Sequence, residues 1–299
     1  MNLDSCQAPA VVINPLTEAE VNSAKFDQPP CPVKTKLIIC STARSGSYLL
    51  CRAMIHYGIG IPHEYFNATN ASTLGPRLGA GNIASPELEI DGPARQAYIA
   101  ALLRHRTVNG VFAVKIQRGQ FDQYFKKSPN IPLFQGAYFI HLYRNDLLAQ
   151  AISFHVSLLT GRWGTDNTVT TRTAPNPQFF DRALIENRLQ ILADQDREWR
   201  LFFARNGIMP LSLSYEDIKN DLPGALRRIV AYGQIELPSH KFDYAEPKSS
   251  EYRAPSEPSK AEIRKWFTQE LLARTRNRAT ESSPTAVSTK DFSSAQPPP

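Results

Sequence analysis

No apolar stretch of this sequence approaches the ~20 residues that a membrane helix needs, so the chain is not expected to span a bilayer. The start, "MNLDSCQAPAVVINPL", has neither a basic opening nor a long apolar core, and it is not expected to act as a signal peptide. These two absences point to a cytoplasmic protein and leave the sequons at Asn67 and Asn70 without weight. Cysteine is scarce: Cys6, Cys31, Cys40 and Cys51 form no CxxC pair, and no histidine lies at zinc-ligand spacing from them. The expectation is buried or spare thiols in a reducing compartment, and no metal. The chain also lacks any motif that interleaves aromatic with basic residues, which argues against a nucleic-acid binder.

What is present is a mild positive balance. Lys and Arg number 34 against 28 Asp and Glu, a formal charge of +6, which suits a polyanionic small ligand. The hydrophobic share of 42% is enough for a sizeable core. Residues 1–34 are polar, proline-bearing and weakly patterned, and read as an extension. Residues 276–299 are rich in Ser, Thr and Pro and read as a disordered tail. Between them, residues 35–275 alternate strand-like and helix-like runs. Strands are expected at 36–41, 110–117 and 137–144, helices at 46–58, 146–161 and 177–207, and 209–217 reads as a fourth strand followed by the start of another helix. Such alternation predicts an α/β fold with a central parallel sheet covered on both faces, and a ligand at the carboxyl ends of the strands.

The stretch "TKLIICSTARSGSYLLCRAM" has the strand, small polar loop and helix that a phosphate loop needs. Gly46 allows close backbone approach, Arg44 offers a cationic fork, and Ser41, Ser45 and Ser47 offer hydroxyls. The pattern GxxxxGK[ST] is absent. Without its lysine and its magnesium-holding hydroxyl, ATP or GTP hydrolysis is not expected. An ordinary Ser/Gly turn accounts for the loop alone equally well.

Further along, "YRNDLLAQAISF" places Arg144 at a strand end and Ser153 about two helical turns later. Here the chain resembles a family. "CSTARSGSYLL" is similar to the 5′-phosphosulfate loop of sulfotransferases, and "YRNDLLAQAISF" to their 3′-phosphate motif. In order, "TARSGS", "HEYF", "FAVK", "RNDLLAQAISF" and "TGRW" resemble the bacterial trehalose 2-sulfotransferase family over roughly residues 35–270.

The resemblance implies a three-layer fold related to nucleotide kinases. It also implies a co-substrate, 3′-phosphoadenosine 5′-phosphosulfate (PAPS), a carbohydrate or glycolipid acceptor, and a homodimer. It assigns Arg44, Ser45, Gly46 and Ser47 to the phosphosulfate, and Arg144 and Ser153 to the 3′-phosphate. Arg253, in "EYRAP", is carried over to the same phosphate. Glu64 is implied as the general base, and chemistry agrees, because an attacking alcohol must lose its proton. Lys115, read as the end of the strand "FAVK", is placed to reach the sulfuryl group; a snorkelling strand-end lysine explains it equally. Trp163 offers a face to a sugar ring, or packs in the core. Asp146 reads as a helix N-terminal residue, and packing explains Gln150 and Phe154. One departure stands out: the family often has Gly-Glu-Pro before the glutamate, whereas here Ile61 precedes Pro62. The rival reading is a non-catalytic adenine-nucleotide-binding or adaptor protein on the same fold, which needs both phosphate sites but no base.

Overall fold

The apolar run 37–40 forms the middle of a central strand, buried on both faces because successive side chains enter two different cores. In the computed structural model the described residues are 11–12, 16–83, 92–125, 132–163, 177–236, 244–245 and 258–281. The strands are β1 (Val11–Val12), β2 (Thr35–Ser41), β3 (Thr107–Val108), β4 (Val111–Gln117), β5 (Tyr138–Tyr143), β6 (Leu211–Ser214) and β7 (Tyr244–Ala245). The first helices are α1 (Glu18–Asn22), α2 (Ser47–His56), α3 (Ala68–Arg77), α4 (Pro93–His105) and α5 (Arg118–Phe125). Then follow α6 (Leu147–Thr160), α7 (Arg182–Arg205), α8 (Tyr215–Asn220), α9 (Leu222–Tyr232) and α10 (Lys260–Glu281).

Five strands make the main sheet in the order β3-β4-β2-β5-β6. All neighbours are parallel except β3, which runs antiparallel to β4. The expected all-parallel sheet is corrected at this edge. Asn109 and Gly110 both have positive φ, 52° and 75°, so the chain folds straight back in a two-residue hairpin. β1 and β7 pair separately.

Leu37 and Ile39 pack with Leu50 and Met54 of α2 and with Leu226 and Ile229 of α9. Ile38 and Cys40 face the other way, toward Phe112, Tyr98, Trp199 and Phe203. Helices therefore cover both faces, which makes three layers. Each fully buried Leu or Ile contributes about 1.5–3 kcal/mol. Burial also pushes the Cys51 thiol up to about 12 and the Cys40 thiol well above its usual range, so neither is a reactive thiolate.

Two boundaries differ from the sequence reading. The long helix starts at Arg182, not at residue 177, because Asp181 caps it by accepting from the Leu184 amide at 2.9 Å. A 3-10 turn at Pro177–Phe180 precedes it. Helix α10 continues through Glu281, past the 276 boundary read from composition. Among the described residues, no helix is long and apolar enough to cross a membrane.

Candidate functional site

β2 ends at Ser41 and α2 begins at Ser47. The loop between them turns sharply, with Arg44 at φ 62° and Gly46 at φ 86°. A non-glycine residue in that region is strained, and such strain gathers at functional loops. Gly46 is the N-cap of α2 and has no side chain to satisfy the first-turn amides, so these are left for an anion. The loop is clamped from behind. Gln150 donates to Thr42 Oγ1 at 2.9 Å and to the Ala43 carbonyl at 2.7 Å. Trp199 Nε1 donates to the Ser41 carbonyl at 3.0 Å, and Ser45 Oγ donates to the Thr42 carbonyl at 2.9 Å. Gln150 therefore fastens the loop as well as packing against it. A Cβ on Gly46 would sit 2.5 Å from Tyr215 Cδ2. Gly46→Ala is expected to destabilise the protein by about 1–3 kcal/mol through backbone strain alone. Thermal unfolding checks this; an unchanged melting temperature would contradict it.

Arg44 Nε donates to Ser153 Oγ at 3.0 Å, and its Nη1 donates to the Trp163 carbonyl. The structure thus sets Ser153 against Arg44. Arg144, just past β5, lies with its guanidinium 4.5 Å from the centre of the Tyr215 ring and its Nε 3.9 Å from Glu216 Oε1. Glu216 also accepts from the amides of Asn145 at 3.0 Å and Asp146 at 3.4 Å. Burial and the nearby Arg144 both press the pKa of Arg44 below its ordinary value. An anion at the loop would offset both effects on Arg44. Asp146 is the N-cap of α6 and pairs with Arg264 at 2.5 Å, so its place is structural.

Glu64 lies in the segment between α2 and α3. Asn70 Nδ2 donates to the Glu64 carbonyl at 3.1 Å, and the Lys115 amide donates to the His63 carbonyl at 3.0 Å. The Glu64 carboxylate meets Lys115 Nζ at 2.5 Å, Gln117 Nε2 at 3.1 Å and Gln120 Nε2 at 2.8 Å. Burial pushes its pKa up, but Lys115 and the two amides outweigh that and hold it at about 2. Burial likewise works against the charge on Lys115, and Glu64 reverses it, leaving Lys115 above its ordinary value. Both partners are charged. Lys115 Nζ also sits 4.3 Å from the centre of the Tyr48 ring. Burial, with Lys115 next, drives His63 down to about 3, so its ring is neutral at neutral pH.

One placement is corrected. Lys115 does not end its strand, because β4 continues to Gln117. Lys115 and Gln117 share one face by the alternation of a strand, and both reach Glu64. Trp163 is 43% exposed and its ring lies 6.0 Å from Phe154, so it is not a core residue. Arg253 lies outside the described residues. Sequence reasoning missed Gln117 and Gln120. Gln120 Oε1 also accepts from the Gln117 amide at 3.1 Å, so it braces the strand end and the carboxylate together. Gln120→Ala removes a donor to the ionised form and should raise the Glu64 midpoint from about 2 toward 4.5. Carbon-13 NMR of labelled glutamate reads this directly. Wild-type Glu64 is expected not to titrate above pH ~3, and a variant that titrates with wild type would contradict the assignment.

Among the described residues, no three His, Cys, Asp or Glu side chains gather as a metal site. The chain is 26% identical over 231 residues to a trehalose 2-sulfotransferase of Mycobacterium tuberculosis, covering 66% of this chain and 84% of that protein. A trehalose 2-sulfotransferase of Mycolicibacterium smegmatis is 23% identical over 236 residues, covering 67% and 85%. Among solved structures, a sulfotransferase from Alicyclobacillus acidocaldarius aligns with a TM-score of 0.41 at 14% identity, over 83% of this chain and 95% of that one. The profile of the Stf0 sulphotransferase family matches residues 36–241, well over half of the chain. This chain, with its loop at Arg44 and its buried carboxylate at Glu64, belongs to the Stf0 sulphotransferase family.

Proposed function

We propose that this protein moves a sulfuryl group from PAPS to a hydroxyl of a carbohydrate, a sugar or a glycolipid, with Glu64 as the general base. The observation that carries the reading is the sheet register. Ser41, which opens the loop, pairs with Gln117, which holds Glu64. The anion loop and the clamped carboxylate thus share one end of two adjacent strands. The residues fit a bis-phosphorylated adenosine. The first-turn amides of α2 have no side-chain cap, the buried Ser41 Oγ has no hydrogen-bond partner among the described residues, and Arg144 works against the charge on Arg44, which an anion would relieve.

When bound, PAPS supplies a sulfuryl group on a phosphate leaving group. Arg44 and the amides of Ser45, Gly46 and Ser47 hold that phosphate and stabilise charge growing on the bridging oxygen. Arg144 holds the 3′-phosphate. Ser153 accepts from Arg44 through a lone pair, which leaves its O–H to donate to the same 3′-phosphate. Lys115 is drawn from Glu64 toward the sulfuryl oxygens. With its counter-charge turned away, burial makes Glu64 a stronger base at the moment one is needed. Glu64 then takes the hydroxyl proton as the acceptor oxygen bonds to sulfur and the sulfur–phosphate oxygen bond breaks. The curated relatives are trehalose 2-sulfotransferases, which supports a sugar acceptor.

One observation favours the rival, a nucleotide-binding protein without catalysis: the Glu64–Lys115 pair is closed, as a purely structural pair would be. Transfer of radiolabelled sulfate from PAPS across a panel of sugars and glycolipids separates the two. Labelled product is expected. Tight nucleotide binding with no labelled acceptor would favour the rival.

A further inference from the structure

The family match begins at residue 36, but the wall over Lys115 starts earlier in the chain. A small cleft lies there. Thr17, Glu18 and Val21 line one side, and Tyr48, His63 and Lys115 line the other. The cleft is partly open, and its water-accessible volume is about 20 Å³, room for one water-sized group. A hydroxyl fits, and a sugar ring does not.

Three observations raise this cleft above a packing gap. His63 is buried and its Nε2 has no hydrogen-bond partner among the described residues, which costs free energy unless a ligand or water meets it. Glu18 and Lys115 both line the cleft, so groups of opposite charge border the same small space. The segment that carries Glu18 is pinned in place. Thr17 and Glu20 form a capping box. The fully buried Arg106 donates to the Val21 carbonyl at 2.7 Å and lies 3.0 Å from Asp27. Asn22 donates to Asn70 at 2.8 Å. Removing a partner from a buried charge such as Arg106 is costly, so this segment is a fixed wall.

We infer that residues 16–21 form an acceptor-selecting wall, in which one non-reacting hydroxyl of the carbohydrate sits between Glu18 and His63. A hydroxyl suits such a pair, because it donates to the carboxylate and its oxygen still has a lone pair for an imidazole N–H. The inference rests on the proposed sulfotransferase reading.

The test compares an accepted sugar with its single-deoxy analogues. In the wild type, one deoxy analogue should react more slowly than the parent. Glu18→Ala should lower kcat/KM for the parent by ~10- to 100-fold, the loss of one charge-assisted hydrogen bond. It should leave that one analogue nearly unaffected, and leave affinity for 3′-phosphoadenosine 5′-phosphate unchanged. A merely structural role for Glu18 would lower all sugars together, and that outcome, like no change at all, overturns the inference. If Glu18→Ala melts too low to assay, Glu18→Gln keeps the shape and is read against the same analogues. A wild type that binds the nucleotide but sulfates no sugar would instead overturn the proposed function, and the wall with it.

Discussion

Glu64→Gln is expected to keep nucleotide affinity and to lose turnover by ~100- to 10,000-fold. Glutamine matches glutamate in size, and its carbonyl can still accept from Gln117 or Gln120. It cannot take a proton at neutral pH. The loss should fall on kcat, because the proton is shared only in the transition state. Lys115 would lose its counter-charge at 2.5 Å while remaining buried. Leaving one member of a buried pair alone costs about 3–5 kcal/mol when the partner is removed outright, and less when an amide carbonyl stays in place. A melting curve therefore belongs beside the kinetics. Donor affinity should hold, because Glu64 acts on the acceptor and a freed Lys115 still favours anions. An unchanged kcat with any accepted sugar would show that another group is the base. The neutral His63, at about 3, is a poor candidate for that role.

The second large effect concerns the nucleotide. 3′-Phosphoadenosine 5′-phosphate should bind ~30- to 1,000-fold more tightly than AMP, since charge-assisted bonds to a second phosphate contribute on the order of 2–4 kcal/mol. Arg144→Ala should erase most of that difference and leave AMP nearly unchanged. Arg144 stacks on Tyr215 and lies 3.9 Å from Glu216, outside the 41–47 loop. Arg44→Ala should weaken both ligands, because Arg44 belongs to the loop itself. Calorimetry that finds equal affinities for the two nucleotides would remove the two-phosphate reading.

Much of the fold was legible because its signals are local. The strand at 36–41 and the helix after Gly46 follow from an unbroken apolar run and a small polar loop. Asp146 announces its helix by chemistry alone. The edge hairpin is also written in the chain, as Asn109-Gly110 between apolar residues, but its first strand is only two residues long and carries no alternation of its own. The 3-10 turn before Asp181 hid inside an apolar pattern that continues without a break in period. The site was less legible. Glu64 could be picked out only by resemblance, since nothing local distinguishes it from a surface glutamate. Its holders come from β4 and α5, some fifty residues away in sequence, and glutamine carries no signal of its own. The motif groups Ser153 with Arg144, and the fold adds a contact from the strained Arg44 that no local signal announces. The wall at 16–21 was invisible because its residues are ordinary; only tertiary placement sets them over Lys115.

The central claim, sulfuryl transfer at the Glu64 carboxylate, is tested most directly in a single turnover. Wild type and Glu64→Gln, each in excess over radiolabelled PAPS and loaded to the same occupancy, are mixed with an accepted sugar. The account predicts that the label moves to the sugar in the wild type and stays on the nucleotide in the variant. Equal transfer by both proteins would contradict it.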